Sequence, residues 1–253
     1  MAELLFWPAM LGYGEAAIAY SSPRYTRTAT WGVRVGWLAQ TALLVVQAAR
    51  VDGFPWSTWA ASLNLFVWLV VGAYLIWGCQ QRYRLLGLAV MPLAALLFVA
   101  ARLGGGTAAG ERSHYSSLFL TVHVGFVLAA FAGFTLAAAL AGLYLWEERR
   151  LKRRAADILR LRLPPLQSLE RLTQRAIFVS LPLLTLGLAA GIVRLRQQGG
   201  STDPLEWLTL ATWLLYGGFL VARPSGRRAA YLAIGGFALV VVSRLALAGG
   251  HFA

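Results

Sequence analysis

Hydrophobic residues fall into eight long runs, and short polar segments separate them. Most runs have the roughly 17–25 residues that a helix needs to cross a bilayer. The pattern predicts an all-α, polytopic integral membrane protein with about eight transmembrane helices, forming a single transmembrane domain over residues 1–253. The predicted spans are about 4–20, 30–49, 58–78, 85–102, a fifth that begins at Leu118, 176–195, 206–222 and 228–249.

The fifth run leads directly into a dense block of charge. The segment from Leu118 to Arg154 reads LFLTVHVGFVLAAFAGFTLAAALAGLYLWEERRLKRR. Positively charged residues flanking a span mark its cytoplasmic side, so the basic block is predicted to lie in the cytoplasm. His123, near the start of the same helix, is therefore predicted at the outer surface.

The other loops predict the same orientation. The second, fourth and sixth loops have few basic residues, whereas the alternate loops are rich in them, and this bias places the N-terminus and the C-terminus on the outer side. The basic positions of the alternate loops are Arg24, Arg27, Arg82, Arg84, the cluster within 149–175, Arg223, Arg227 and Arg228.

Composition excludes several classes of protein. The 58% hydrophobic content exceeds that of a soluble domain, and the net charge of +13 lies mainly in short loops, so no nucleic-acid partner is expected. The single cysteine, Cys79, excludes an intramolecular disulfide and indicates an apolar filler. Glu3 precedes the first apolar run without a basic flank, so the first helix is expected to be retained rather than cleaved as a signal peptide.

Two of the three histidines are predicted to share one face of the membrane. His251, in the terminal GGHFA, follows the eighth run and lies on the same side as His123. Paired imidazoles bind haem iron from both axial sides, and an apolar macrocycle suits a site between helices. The pair predicts a haem b site, although a single interfacial histidine is more often solvated, which is how we interpret His114.

The fifth helix is predicted to have two functional faces. Small residues at four-residue spacing are typical of close helix packing. The opposite face begins with His123 and is predicted to line a pocket. The packing stripe is Gly125, Ala129, Gly133 and Ala137, and the pocket face is His123, Phe126, Ala130 and Phe134.

Arg244 lies seven residues before His251, on the same helix face and roughly 10 Å deeper. A charge within a membrane usually has a partner. Three interpretations stay open: Arg244 pairs with a carboxylate such as Glu15, it snorkels to the interface, or it is the counter-ion of a haem propionate. The tryptophans, including Trp56, Trp59, Trp207 and Trp213, are predicted to form an interfacial belt.

The second half of the chain resembles the cytochrome c assembly superfamily. The resemblance lies in HVGFVLAAFAGFTLAAALAGLYLWEERRLKRR, LPPLQSLERLTQRAIFVSLPLLTLGLAAGIVR, DPLEWLTLATWLLYGGFLVARPSGRRAAYLAIGGFALVV and GGHFA. It covers residues 118–253 with a basic linker at 147–175, whereas residues 1–117 form four spans that match only in outline. Size and pattern are most similar to the HemX/YpjD-like branch of this CcsA/ResC-like superfamily.

The resemblance implies roles for particular residues. His123 and His251 match the outward histidines that serve as axial haem ligands in CcsA-type proteins. Asp203, Pro204, Glu206 and Trp213 match the end of the tryptophan-rich signature. The rest of that signature is replaced by RLRQQGGST, and Val221 stands where large haem handlers have an intramembrane histidine, so a second haem is not expected.

These observations predict a non-enzymatic, haem-binding protein of the bacterial inner (cytoplasmic) membrane that assists cytochrome c biogenesis by presenting haem at the outer face. Its expected partners are haem, other assembly proteins or an apocytochrome, and the lipid bilayer. One alternative is a HemX-like adaptor that regulates a haem-biosynthetic enzyme through residues 147–175, although lipid head-group binding explains that segment more simply. A second alternative is a transporter of haem or a small molecule. Neither a catalytic triad nor a phosphate-binding loop is present in the sequence.

Overall fold

The computed structural model describes residues 2–50, 55–56, 58–77, 84–108, 118–153, 165–198 and 204–250, without the side chains at some of the helix ends. Within these residues the chain forms eight α-helices and no strand. The helices are α1 (Ala2–Ala19), α2 (Thr26–Arg50), α3 (Trp59–Trp77), α4 (Arg84–Leu103), α5 (Leu118–Lys152), α6 (Leu166–Gln198), α7 (Pro204–Ala222) and α8 (Gly226–Gly250), and a 3-10 turn (Pro23–Tyr25) precedes α2.

The helices confirm the prediction of an all-helical polytopic membrane protein. Five of them, α2 to α6, are long and apolar enough to cross a membrane over their described residues, and α1 and α7 hold shorter apolar stretches, Leu4–Ala19 and Trp207–Ala222. Helices dominate because a backbone in lipid has no water to bind, and an α-helix satisfies its own N–H and C=O groups.

The sixth helix differs from the sequence prediction. We expected it to begin near residue 176, but α6 begins at Leu166, ten residues earlier. Leu169, Ala176 and Ile177 are fully buried. Ala176 and Ile177 lie seven and eight residues after Leu169, about two helical turns, so the three share one apolar face, and the helix begins before the apolar run does.

The helices alternate in direction, which gives the bundle two ends. We call the end that holds the last turn of α5 and the first turn of α6 the basic end, and the end that holds the first turns of α5 the histidine end. Helix α5 is central: 67% of its span is buried, compared with 28% for α6. It packs against α3, α4, α6 and α8, while α7 packs between α6 and α8.

The pair formed by α5 and α6 depends on small residues. Ser180, 1% exposed, lies directly over Gly133, where a side chain on the glycine would collide with the hydroxyl. Small residues allow two backbones to approach closely, and in a bilayer this packing is a main source of helix association. The predicted packing role is confirmed for Gly133. Gly125 was predicted to share that role, but no described atom lies within 4 Å of the position of its missing side chain, so for Gly125 it stays a prediction.

Polar contacts fasten the basic end of the bundle. Glu148 on α5 accepts a hydrogen bond of 2.6 Å from Nε of Arg227 on α8, and it lies 3.0 Å from Nζ of Lys152. Glu170 on α6 accepts a 3.0 Å hydrogen bond from the backbone N–H of Gly226. Gly226 has a φ of +61°, a conformation that glycine adopts without strain, so the turn into α8 can present its N–H to Glu170.

A buried amide network joins the N-terminal helices at the histidine end. Gln40 accepts a 2.5 Å hydrogen bond from the Tyr13 hydroxyl and donates to Asn64 Oδ1 over 2.8 Å. Asn64 and Gln47 both donate to the carbonyl of Gly106, over 3.2 and 3.0 Å. Because the three amides are at most 1% exposed, they hold the loop after α4 firmly against α2 and α3.

Replacing Gly133 with valine is expected to destabilise the protein by about 1–3 kcal/mol, because the new methyl groups would force Ser180 and α6 away from α5. The matched control is Gly142→Val on the same helix, since no described atom lies within 4 Å of the position that a Cβ on Gly142 would occupy. Thermal unfolding in detergent checks this: the midpoint should fall for Gly133→Val and stay close to that of wild type for Gly142→Val. Equal midpoints for the two variants would contradict the close α5–α6 contact.

Candidate functional site

His123 lies in the second turn of α5, where it is half-buried against α6. Its Nδ1 lies 2.7 Å from the carbonyl oxygen of Gly187. A carbonyl oxygen only accepts hydrogen bonds, so the proton of a neutral imidazole is on Nδ1 and the lone pair is on Nε2. The contact therefore fixes both the tautomer and the plane of the ring.

Two glycines on α6 face this part of α5, Gly191 towards His123 and Gly187 towards Val127. A Cβ on Gly191 would lie 2.8 Å from Cε1 and 2.9 Å from Nδ1 of His123. A Cβ on Gly187 would lie 2.7 Å from Cγ2 and 3.2 Å from the backbone nitrogen of Val127. Such distances are shorter than van der Waals contact, so a side chain at either position would move the helix or the ring.

The rest of the predicted pocket face is largely closed. Phe134 is fully buried and stacks on Tyr216 of α7, with ring centroids 3.9 Å apart and an interplanar angle of 7°. The Tyr216 hydroxyl donates to the carbonyl of Ala233 on α8 over 3.0 Å. Ala130 is also fully buried. The prediction that this whole face lines a pocket is therefore wrong for its deeper half, because α7 and α8 fill that space.

Only the shallow half of that face remains accessible. Phe126 is half-buried, like His123, and its Cβ lies beside Gly187. Within the described residues, no group of three or more histidine, cysteine, aspartate or glutamate side chains could hold a metal ion.

Trp213 has a structural contact of its own. Its Nε1 donates to Oγ1 of Thr185 on α6 over 2.9 Å. Residues two apart on a helix project to opposite sides, so Thr185 and Gly187 hold Trp213 and His123 on different sides of α6. Trp213 also lies near the middle of α7, whereas Trp207, 61% exposed, lies close to the histidine end, where a belt residue is expected.

Several predicted site residues lie outside the described part of the chain. These are Asp203, His251, His114 and Cys79, together with the side chain of Arg244. The backbone of α8 is described to Gly250 and ends at the histidine end. Glu15 lies close to the basic end of α1 and Arg244 close to the histidine end of α8, so the alternative of an ion pair between them loses its geometric support.

Sequence reasoning missed the two residues that orient His123. Gly187 and Gly191 are spaced four apart in LGLAAGIVR, the same small-residue spacing that we interpreted on α5. That spacing could have indicated a close contact on α6. It could not have shown that the residue facing the glycines is the histidine.

Comparison with known proteins gives consistent results. Residues 56–248 match the family model described as cytochrome C assembly protein. The cytochrome c biogenesis proteins CcsA of Microcystis aeruginosa and Gloeothece citriformis are each 27% identical over 297 residues, with 96% of this chain and 90% of the relative covered. The CcsA of Guillardia theta is 28% identical over 218 residues, with 76% of this chain and 72% of the relative covered. No solved structure matches the chain.

The extent of these matches refines the resemblance seen in the sequence. The family match begins at residue 56, so it includes α3 and α4 as well as the second half of the chain, and it ends before His251. The alignments to the first two relatives span 297 positions, more than the 253 residues of this chain, so those relatives contain segments that this chain lacks.

The matched region covers about three quarters of the sequence and holds His123 together with both glycines that orient it. On this ground the chain belongs to the cytochrome c assembly protein family.

Proposed function

We propose that this protein binds haem b at the histidine end through His123 and His251, and that it holds or presents the haem during cytochrome c biogenesis. The hydrogen bond between His123 Nδ1 and the Gly187 carbonyl carries this proposal. The proposal places the protein in a bacterial cytoplasmic membrane, with the histidine end outward, and gives it no catalytic reaction of its own.

The orientation of His123 fits an axial ligand. Metal-binding histidines almost always donate their other ring N–H to a carbonyl or carboxylate, which fixes the ring and makes the coordinating nitrogen more basic. Gly187 supplies that acceptor through its carbonyl oxygen. Gly191 has no side chain and so leaves room for the edge of the His123 ring. The ring is therefore held by a backbone acceptor at Gly187 and by a position without a side chain at Gly191.

The second ligand and the counter-ion are inferred from their place in the chain. Helix α8 ends at Gly250, at the same end of the bundle as His123, and His251 is the next residue. Arg244 lies two turns earlier on that helix, where its guanidinium can neutralise a haem propionate. Phe126 supplies an apolar contact beside His123, and Asp203 directly precedes the first residue of α7 in the sequence.

The family supports the assignment to cytochrome c biogenesis, since the relatives named above are cytochrome c biogenesis proteins. Haem supplies the iron whose axial positions the histidines fill. This chain contributes the orientation of His123, the apolar wall and the exclusion of water from the deeper half of the face by Phe134 and Tyr216. We limit the proposed role to holding or presenting haem, because RLRQQGGST replaces most of the tryptophan-rich signature of CcsA-type proteins in this chain.

Part of the segment proposed as a partner site contributes to the bundle itself. Two of its acidic residues make internal contacts, since Glu148 binds Arg227 and Glu170 binds the turn into α8. Leu169, in the segment proposed as a partner site, is fully buried. Residues 154–164 lie outside the described part of the chain, so the adaptor role stays an alternative.

The visible spectrum of the protein purified in detergent tests the axial pair. Wild type is expected to show a six-coordinate low-spin haem spectrum in the oxidised and reduced states. His123→Ala and His251→Ala should each lose it, because removing one imidazole leaves the iron five-coordinate or unbound. A colourless wild type that also fails to take up added haem would contradict the proposal.

A second test addresses the orientation of His123. Gly191→Ala is expected to weaken haem binding about 10- to 100-fold, the range typical for disturbing a residue that orients a metal ligand. Gly125→Ala is the matched control near His123 on α5, because its new methyl group meets no described atom within 4 Å. Titration with haem measures both variants. Equal affinity in the two would show that the contact with α6 does not orient the ligand.

A further inference from the structure

An open groove of about 440 Å³ lies between α1 and α2 at the basic end, far from His123. Its walls are held together by direct backbone packing, since a Cβ on Gly12 would lie 2.6 Å from the carbonyl oxygen of Gly32 and 2.9 Å from Cα of Gly36. Close contact of this kind makes the two helices a rigid pair. The groove is therefore a fixed feature of the bundle surface.

The carboxylate of Glu15 lines this groove. Glu15 is exposed and lies on the stripe of α1 that also carries Leu11 and Ile18, which are 68% and 76% exposed. It lies four residues before Ala19, so it is about 6 Å from the end of the helix, near the boundary between acyl chains and head groups. No ion pair joins Glu15 to any residue that the structure describes. A carboxylate near this boundary favours a neighbouring cation.

Two hydroxyl oxygens in the groove are also acceptors, whereas the hydroxyls of Ser22 and Tyr25, which line it too, can donate to a phosphate. The hydroxyl of Ser21 donates to the Ile18 carbonyl over 2.7 Å, and that of Thr28 donates to the Tyr25 carbonyl over the same distance. With their hydrogens engaged, both oxygens present lone pairs to the groove. Together with the Glu15 carboxylate, they form a lining that suits a ligand with several N–H donors.

We propose that this groove binds the head group of phosphatidylethanolamine, with its primary ammonium donating to Glu15 and to the hydroxyl oxygens of Ser21 and Thr28. Arg24 and Arg27 are exposed on the same loop and first turn of α2, within reach of the phosphate. The acyl chains run from the head group towards the centre of the bilayer, along Leu11, which lies one turn deeper than Glu15. A lipid satisfies the carboxylate, the two cations and the apolar stripe at the same time.

Native mass spectrometry of the full-length protein tests this proposal. Protein reconstituted in nanodiscs with equal amounts of phosphatidylethanolamine, phosphatidylcholine and phosphatidylglycerol is released, and the retained lipids are counted. Phosphatidylcholine is the matched ligand control, because it has the same phosphate and net charge but its methylated ammonium has no N–H donor. Wild type is expected to retain phosphatidylethanolamine about fivefold or more over phosphatidylcholine.

Glu15→Gln should reduce that preference to near unity. Glu148→Gln, a carboxylate at the same end but outside the groove, should leave it unchanged, and thermal unfolding verifies that both variants are folded. Equal retention of the two lipids by wild type, a preference that survives in Glu15→Gln, or predominant retention of phosphatidylglycerol would overturn the proposal.

Discussion

The close approach of α5 and α6 is the constraint on which the rest of the structure depends. Gly133, Gly187 and Gly191 have no side chains at the points where the two helices meet, so the backbones come within reach of each other. This is why the imidazole of His123 can reach a carbonyl oxygen in the middle of a neighbouring helix. Any side chain at these positions would separate the helices and remove the acceptor that orients the ring.

The positions of the helices could be predicted because lipid imposes them. An apolar run of sufficient length must be helical, and the basic residues indicate its direction, which places His123 at the start of α5 correctly. The early start of α6 could not be seen in hydropathy. Glu170, Arg171 and Arg175 interrupt the apolar run, yet Leu169 and Ala176 continue the helix by packing against its neighbours.

The candidate site was only partly predictable for a related reason. Periodicity shows that His123, Phe126 and Phe134 share one face of a helix, but not which neighbour covers that face. Tyr216, 82 residues after Phe134, closes its deeper half by stacking on the phenyl ring. Such a long-range contact leaves no local pattern in the sequence, and the same holds for Trp213, whose indole binds Thr185 rather than facing the site.

The N-terminal half stabilises the bundle by different chemistry. Tyr13, Gln40, Gln47 and Asn64 stand alone within apolar runs, and the structure joins them into one satisfied network that ends on the Gly106 carbonyl. Each amide finds partners on another helix or loop, so the cost of burying it is offset. The network fixes the loop after α4 at the histidine end. This loop precedes the half that carries His123, so the network holds the N-terminal helices in a fixed position beside it.

The central claim is that the His123 imidazole is an axial ligand of haem iron. The most direct measurement is chemical rescue of His123→Gly by free imidazole, monitored through the visible spectrum of the purified variant with haem. If the claim is correct, the variant alone is high-spin or lacks haem, and added imidazole restores the low-spin spectrum by occupying the vacated space. A low-spin spectrum in the variant without imidazole, identical to that of wild type, would contradict the claim.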